Sequence, residues 1–326
     1  MDDKLIDGAG IILNSCMGAK SGERLAVVCD PDKGEAARAL ASVAQRQGLE
    51  TILLEGYYKF DQVEDAHPAM VEAVAKCDVI LYLVSYHKTQ FLGHTDLRRN
   101  ASARGARQAF ITTDFRGLSE EMLERIRANT LRIGSLLTQT KVARATSREG
   151  TDVTMRLSGR PALTLTHRLV EPGAWGALPT FTEAAIGVLE GAADGVAIID
   201  GMVTHIGRTS EPIRLTMSNG LVTRISGGKE ADLLRRILDE AGENAYNVVE
   251  LGLGTNMFVK ERVGGFEDKK IFGTVHFGLG DGGTFGSPIR SHIHLDVLME
   301  RPSLELDGVA LLRDGEPVVD SNPIEG

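Results

Sequence analysis

Apolar runs alternate with amphipathic stretches through the first part of the chain. The segment RLAVVCD, opening at Arg24, is an apolar strand pattern, and GEAARALASVAQRQG has helical periodicity ending at Gly48. TILLEG follows as a second strand. HPAMVEAVAKCD reads as a helix with Pro68 in its first turn, and VILYLVS as a third strand apolar on both faces. A helix over DLRRNASARGA, a strand QAFITT and a long helix SEEMLERIRANTLRIGSLL come next, the last opened by a capping-box-like stretch from Ser119 to Glu121. Strands alternating with helices in this way predict a doubly wound parallel sheet with helices on both faces.

From Lys141 the period shortens to two. KVARATS and TDVTMRLSG read as strands joined by the turn Arg148-Glu149-Gly150, and PIRLTMSNGLVTRISGG as a hairpin about Asn219-Gly220. One strong helix, ADLLRRILDEAG, interrupts this β-rich half. The expected organisation is an α/β N-terminal domain over 1–140 and a β-rich α+β domain over 141–326. A chain of 326 residues suits two cores, and 42% hydrophobic with 25% charged residues is an ordinary globular composition. The first βα turn, DPDKGEA, lacks the glycine spacing of a dinucleotide fold.

Charge narrows the partners. A net charge of −9 argues against nucleic acid, which needs clustered Lys and Arg. The dense basic segment RRNASARGAR reads as a helix face or a site for a small anion. Cys16, Cys29 and Cys77 are too few and too scattered for a disulfide framework or a thiolate zinc site. The N-terminal residues are acidic where a signal peptide is basic, and no apolar run approaches a membrane span. The expectation is a cytoplasmic protein with no membrane partner.

Candidate chemistry concentrates in the last third, in VVELGLGTN, FEDKKIFGTVHFGLGDGGTFG and SHIHLDVLMERPSLELDG. Strand alternation places His292, His294 and Asp296 on one face and Ile293, Leu295 and Val297 on the other. His276 sits in an apolar strand, as does Glu250, and an unpaired carboxylate there is costly to bury. A divalent metal ion would supply the missing partner, and nitrogen and oxygen donors suit zinc, cobalt, manganese or ferrous iron. The competing reading makes each histidine a hydrogen-bonded core residue.

These motifs, with ALPTFTEAAIGVLEGAADGVAIIDG upstream and HTDLRRNASARGAR in the first domain, resemble the thermophilic-aminopeptidase superfamily, in particular its short leucyl-aminopeptidase-like members. The resemblance implies a metal-dependent hydrolase in which activated water attacks an amide or peptide bond. It implies metal ligands Glu183, Glu250, His276, His294 and Asp296, with Glu250 also available as base and His94 as an acid/base group. A homodimer, a cleft between the domains and a small-molecule or short-peptide substrate are implied as well. Two departures point to one metal, or one tight and one weak site. Lys269 stands at a position acidic in the family, and Gly282-Gly283-Thr284-Phe285 lacks a tyrosine that longer aminopeptidases carry. The related 2,5-dihydroxypyridine dioxygenases share His294, Asp296 and His94, but have histidine in place of Glu250 and no counterpart of His276. His276, His294 and Asp296 together read as a His-His-carboxylate set for Fe(II), making ring-cleaving oxygenation the alternative. A metal-stabilised binding protein without catalysis is the third reading.

Overall fold

The computed structural model describes residues 2–57, 68–85, 95–111, 113–157, 159–259, 261–262 and 266–318. Two compact units divide the chain: residues 1–125 with 166–181, and residues 126–165 with 182–326.

Among the described residues of the first unit every strand pairing is parallel, in the order β2 (Glu50–Glu55), β1 (Arg24–Cys29), β3 (Val79–Leu83), β4 (Arg107–Ile111) and β8 (Trp175–Leu178). Alternation along β1 divides its side chains between two cores. Leu25, Val27 and Cys29 join one with Leu5, Ile12, Ala37 and Leu40, from the helical segments 3–16 and 34–46. Ala26 and Val28 join the other with Met70, Val74, Leu97 and Ala101, from α3 (Pro68–Val74) and α4 (Asp96–Ala103), so both sheet faces are covered. Preceding these are α1 (Asp3–Ile11) and α2 (Gly34–Arg46). The doubly wound architecture expected from the pattern is the one observed. Helix α4 starts where Thr95 accepts the Arg98 amide at 3.2 Å. Cys16, Cys29 and Cys77 are buried, unbridged thiols.

The helix α5 (Glu120–Gln139) begins with Ser119 Oγ accepting the Met122 amide at 3.1 Å, as the capping signal predicted. The two units divide within this helix, and its last residue marks the change of period seen in the sequence.

The described residues of the second unit form two antiparallel sheets. One runs β14 (Leu221–Ser226), β13 (Ile213–Ser218), β10 (Ala193–Ile199), β6 (Asp152–Arg156), β5 (Val142–Thr146), β18 (Ser303–Leu306), β19 (Val309–Arg313) and β20 (Glu316–Pro317). The other runs β12 (Gly207–Arg208), β11 (Met202–Val203), β17 (His294–Met299), β16 (Val275–Gly280), β15 (Val248–Gly254), β9 (Glu183–Gly187) and β7 (Leu163–Leu165). Asn219 (φ 50) and Gly220 (φ 76) turn the β13–β14 hairpin, where a two-residue loop with both φ positive matches the right-handed twist of the strands.

Both sheets feed one apolar core, together with Leu234 and Leu238 of α6 (Lys229–Ala241). The second of these sheets contributes Ala184, Ile186, Leu251, Leu253, Val275, Phe277, Leu279, Leu295 and Val297. Its intervening residues point the other way, and they form the site described below. Among the described residues no helix is long and apolar enough to cross a membrane.

Phe277 is fully buried in this core. Phe277→Ala should lower stability by about 3–5 kcal/mol in denaturant unfolding, the cost of a large core truncation. Val309, 67% exposed, is the control. Val309→Ala should change stability by no more than about 0.5 kcal/mol.

Candidate metal centre

Period-two alternation puts Glu183 on β9, Glu250 on β15, His276 on β16, and His294 with Asp296 on β17, all on the sheet face opposite the core. These four strands are neighbours. Cross-strand register then places a glycine against every one of the five: Gly254 by Glu183, Gly278 by both Glu250 and Asp296, Gly252 by His276, and Gly280 by His294. Two of these glycines, Gly252 and Gly278, make room for the functional side chains. A Cβ at Gly252 would lie 2.1 Å from His276 Nε2, and one at Gly278 would lie 2.6 Å from Glu250 Oε2 and 2.8 Å from His294 Cε1.

Two groups of donors have all their ligand atoms within 4.8 Å of one another: Glu183, Glu250 and His276, and Glu250, His294 and Asp296. Glu250 belongs to both. All five ligands implied by the resemblance are therefore brought together. The His-His-carboxylate set of His276, His294 and Asp296 is not one of these compact groups, because each holds one histidine and two carboxylates. His292, on the same side as His294 by alternation, is exposed and in neither group. His94 lies outside the described residues. His167 is buried, with Nε2 3.5 Å from Glu124.

His294 carries the most direct sign of a cation site. Its Nδ1 donates to the Asp281 carbonyl at 2.8 Å, and a carbonyl can only accept, so the proton is on Nδ1. Nε2 then faces Glu250 Oε2 at 2.8 Å and Asp296 Oδ1 at 3.3 Å. A neutral ring would set a lone pair against two carboxylates. The arrangement needs either a second proton, making an imidazolium, or a metal ion. Asp296 Oδ1 is buried without a hydrogen bond, as are both ring nitrogens of His276, whose Nε2 stands 3.4 Å from Glu183 Oε2 and from Glu250 Oε1. Buried polar atoms left in this state cost stability unless a ligand satisfies them. The residues present fit a divalent ion.

Burial acts against charge throughout the cluster, and the neighbours reverse it. For Glu250, burial would raise the carboxyl, but the imidazoles of His276 and His294 outweigh it and hold it down to about 2. For Asp296, burial is likewise overcome, by Lys269 and His294, which hold it well below the usual range. Glu183 is lowered, its burial outweighed by Lys269 and Lys270. Burial would lower His294, yet Asp296 and Glu250 raise it well above an ordinary histidine. Lys269, ion-paired to Asp296, is raised by the carboxylates around it despite burial. Lys270, ion-paired to Glu183, is brought down to about 8 because burial prevails.

Three participants escaped the sequence reading. Lys270 is one, since adjacent lysines before an apolar strand normally point to solvent. Asp281 is the second. Its carbonyl orients His294 while its carboxylate accepts the amides of Gly283 at 3.0 Å and Ser291 at 3.2 Å, and the Asp-Gly-Gly run was its only signal. The third is Thr204, whose Oγ1 accepts the Asp296 amide at 3.1 Å.

A family model described as NicX, 2,5-dihydroxypyridine 5,6-dioxygenase, matches residues 16–319. The chain belongs to the NicX family. Among solved structures, this NicX-family chain resembles the 2,5-dihydroxypyridine dioxygenase from Pseudomonas putida with 20% identity and a TM-score of 0.72, over 97% of each chain. It also resembles wild-type AmpT from Thermus thermophilus with 16% identity and a TM-score of 0.71, over 97% of this chain and 99% of that one. At such identities the two structures show a common fold. No curated protein sequence matches the chain. Family membership marks the chain as an enzyme, and the buried donor cluster supplies candidate metal-binding groups.

Gly278→Ala should weaken divalent-metal binding by about 10–100-fold in calorimetric titration, the range for disturbing ligand orientation. A second outcome concerns acid. Glu250 titrates near 2 when folded and near 4.5 when unfolded, so its contribution to stability is complete above about 4.5. Chemical denaturation of the metal-free protein should show that contribution lost as pH falls from 4.5 towards 2, with Asp296 acting in the same direction.

Proposed function

We propose that the chain is a metal-dependent hydrolase that cleaves an amide or peptide bond in a small molecule or short peptide. The observation that carries this reading is Glu250. It is 2% exposed and common to two donor groups, each of one histidine and two carboxylates. Carboxylate-rich sets of this kind suit a Lewis acid such as zinc, cobalt or manganese. When bound, such an ion supplies a water of lowered pKa and polarises the scissile carbonyl.

The chain's own residues divide the remaining tasks. Glu250 and Asp296, both held anionic, serve as ligand carboxylates, and His294 presents Nε2 because the Asp281 carbonyl occupies its other nitrogen. Lys269 holds Asp296 from the far side and fixes its orientation. Glu183 is the carboxylate left to accept the proton of the attacking water, with Lys270 beside it to stabilise the charge. Gly252 and Gly278 give His276, Glu250 and His294 the space that their side chains occupy.

A second reading is ring-cleaving oxygenation of a dihydroxypyridine-like substrate at ferrous iron. Its support is the family match over residues 16–319. Against it stands the absence of a compact His-His-carboxylate group among the described residues.

The two readings part in one experiment on metal-reconstituted protein. The expected result is hydrolysis of amide or dipeptide substrates with zinc, cobalt or manganese, and no oxygen uptake with hydroxypyridines. Substrate-dependent oxygen consumption by the ferrous form, with no hydrolysis, would replace the first reading by the second. Asp296→Ala should abolish both metal retention and turnover, while far-UV circular dichroism stays unchanged.

A further inference from the structure

The donor cluster brings its own cations. Glu183, Glu250 and Asp296 carry three negative charges, each side chain no more than 7% exposed. Two ammonium groups meet them. Lys270 pairs with Glu183 Oε2, and Lys269 pairs with Asp296 Oδ2 while standing 3.9 Å from Glu183 Oε2. These lysines are themselves 3% and 6% exposed, so solvent does little to dilute their charge. With neutral imidazoles the cluster therefore holds one net negative charge. One divalent ion would turn this into a single positive charge, which a hydroxide or an anionic substrate group can balance. Two ions would leave three positive charges in a buried space, where unbalanced charge is expensive.

The two donor groups are also unequally prepared. In the group of Glu250, His294 and Asp296, the Asp281 carbonyl fixes the tautomer of His294. There Lys269 takes Asp296 Oδ2 and leaves Oδ1 without a hydrogen bond. In the group of Glu183, Glu250 and His276, the Glu183 oxygen nearest His276 is the one already paired with Lys270, and neither nitrogen of His276 is oriented by a hydrogen bond.

We propose that the Lys270 ammonium fills the Glu183–Glu250–His276 position in place of a second metal ion, so that the chain takes one divalent ion, held by Glu250, His294 and Asp296. Lys269 is the positioning residue that presents Asp296 to it. The inference rests on the metal-dependent reading above, but not on the bond that is cleaved.

The test is metal stoichiometry, read by elemental analysis and calorimetric titration of chelator-stripped protein with Mn²⁺ alone. Wild-type protein should take one ion per chain. Asp296→Asn should lose it, and Glu183→Gln should keep it. Lys270→Gln should admit a second, weaker ion. Two ions on the wild type would overturn the proposal. So would loss of the tight ion in Glu183→Gln with retention in Asp296→Asn, which would move the ion to the other group. A Lys270→Gln protein that folds and still takes one ion would show that Lys270 is not what excludes the second. The wild-type count and the Glu183 and Asp296 variants decide the placement even if Lys270→Gln fails to fold. One ion without hydrolysis would remove the hydrolase reading and leave this inference standing, and hydrolysis with two ions would do the reverse.

Discussion

Three carboxylates withdrawn from water onto one face of a sheet require positive charge close by, and the surrounding structure is organised to deliver it. Isolated in such a place, each would take up a proton rather than stay ionised. Instead Glu250 is held near 2 and Asp296 well below its usual range, by two imidazoles and Lys269, arriving from β16, β17 and the segment before β16. The charged state is thus written into the scaffold before any metal arrives. A site prepared in this way loses little to reorganisation when it binds a cation.

The sheet that carries the cluster also builds the core of its unit. Leu251, Phe277 and Leu295 face inward, while Glu250, His276 and His294, their neighbours in sequence, face the site. Core packing therefore sets where the ligands stand, strand by strand. Donors on adjacent strands of a packed sheet are held more rigidly than donors on loops. Asp281 extends this order beyond the strands, tying the segment after β16 to the ring of His294.

Much of this was readable in the chain because it depends on local period. The alternation in SHIHLDV located β17 and put His294 and Asp296 on one face, and Asn219-Gly220 announced its hairpin through residues that tolerate positive φ. The helix expected over 34–48 is α2, over Gly34–Arg46, and the signal at Ser119 caps α5. What escaped was non-local. Short strands such as β7 and β8 have too few residues to show a period, and the pairing of β8 with β4 joins residues far apart in sequence. Spacing also could not tell which histidine shares which carboxylate. His276 and His294 both stand between apolar neighbours in sequence, yet the grouping about Glu250 follows from cross-strand register. Whether Lys270 turns inward is decided by Glu183, whose strand is paired to β15 and not by anything beside the lysine.

The pairing of each donor with a glycine has a consequence for how the strands find their places. Slippage of β16 by one residue would send Val275, Phe277 and Leu279 outward and push His276 into the apolar core, an error that burial alone penalises. Slippage by two residues would keep every apolar side chain inside, so the core cannot detect it. In that misalignment His276 would move onto the position now held by Gly278, between Glu250 and Asp296, where even a single added carbon collides. The bare glycines and bulky donors interlock like a key code along the strands. They reject a shift that hydrophobic packing would tolerate, and the chemistry of the site thereby helps to align the sheet that carries it.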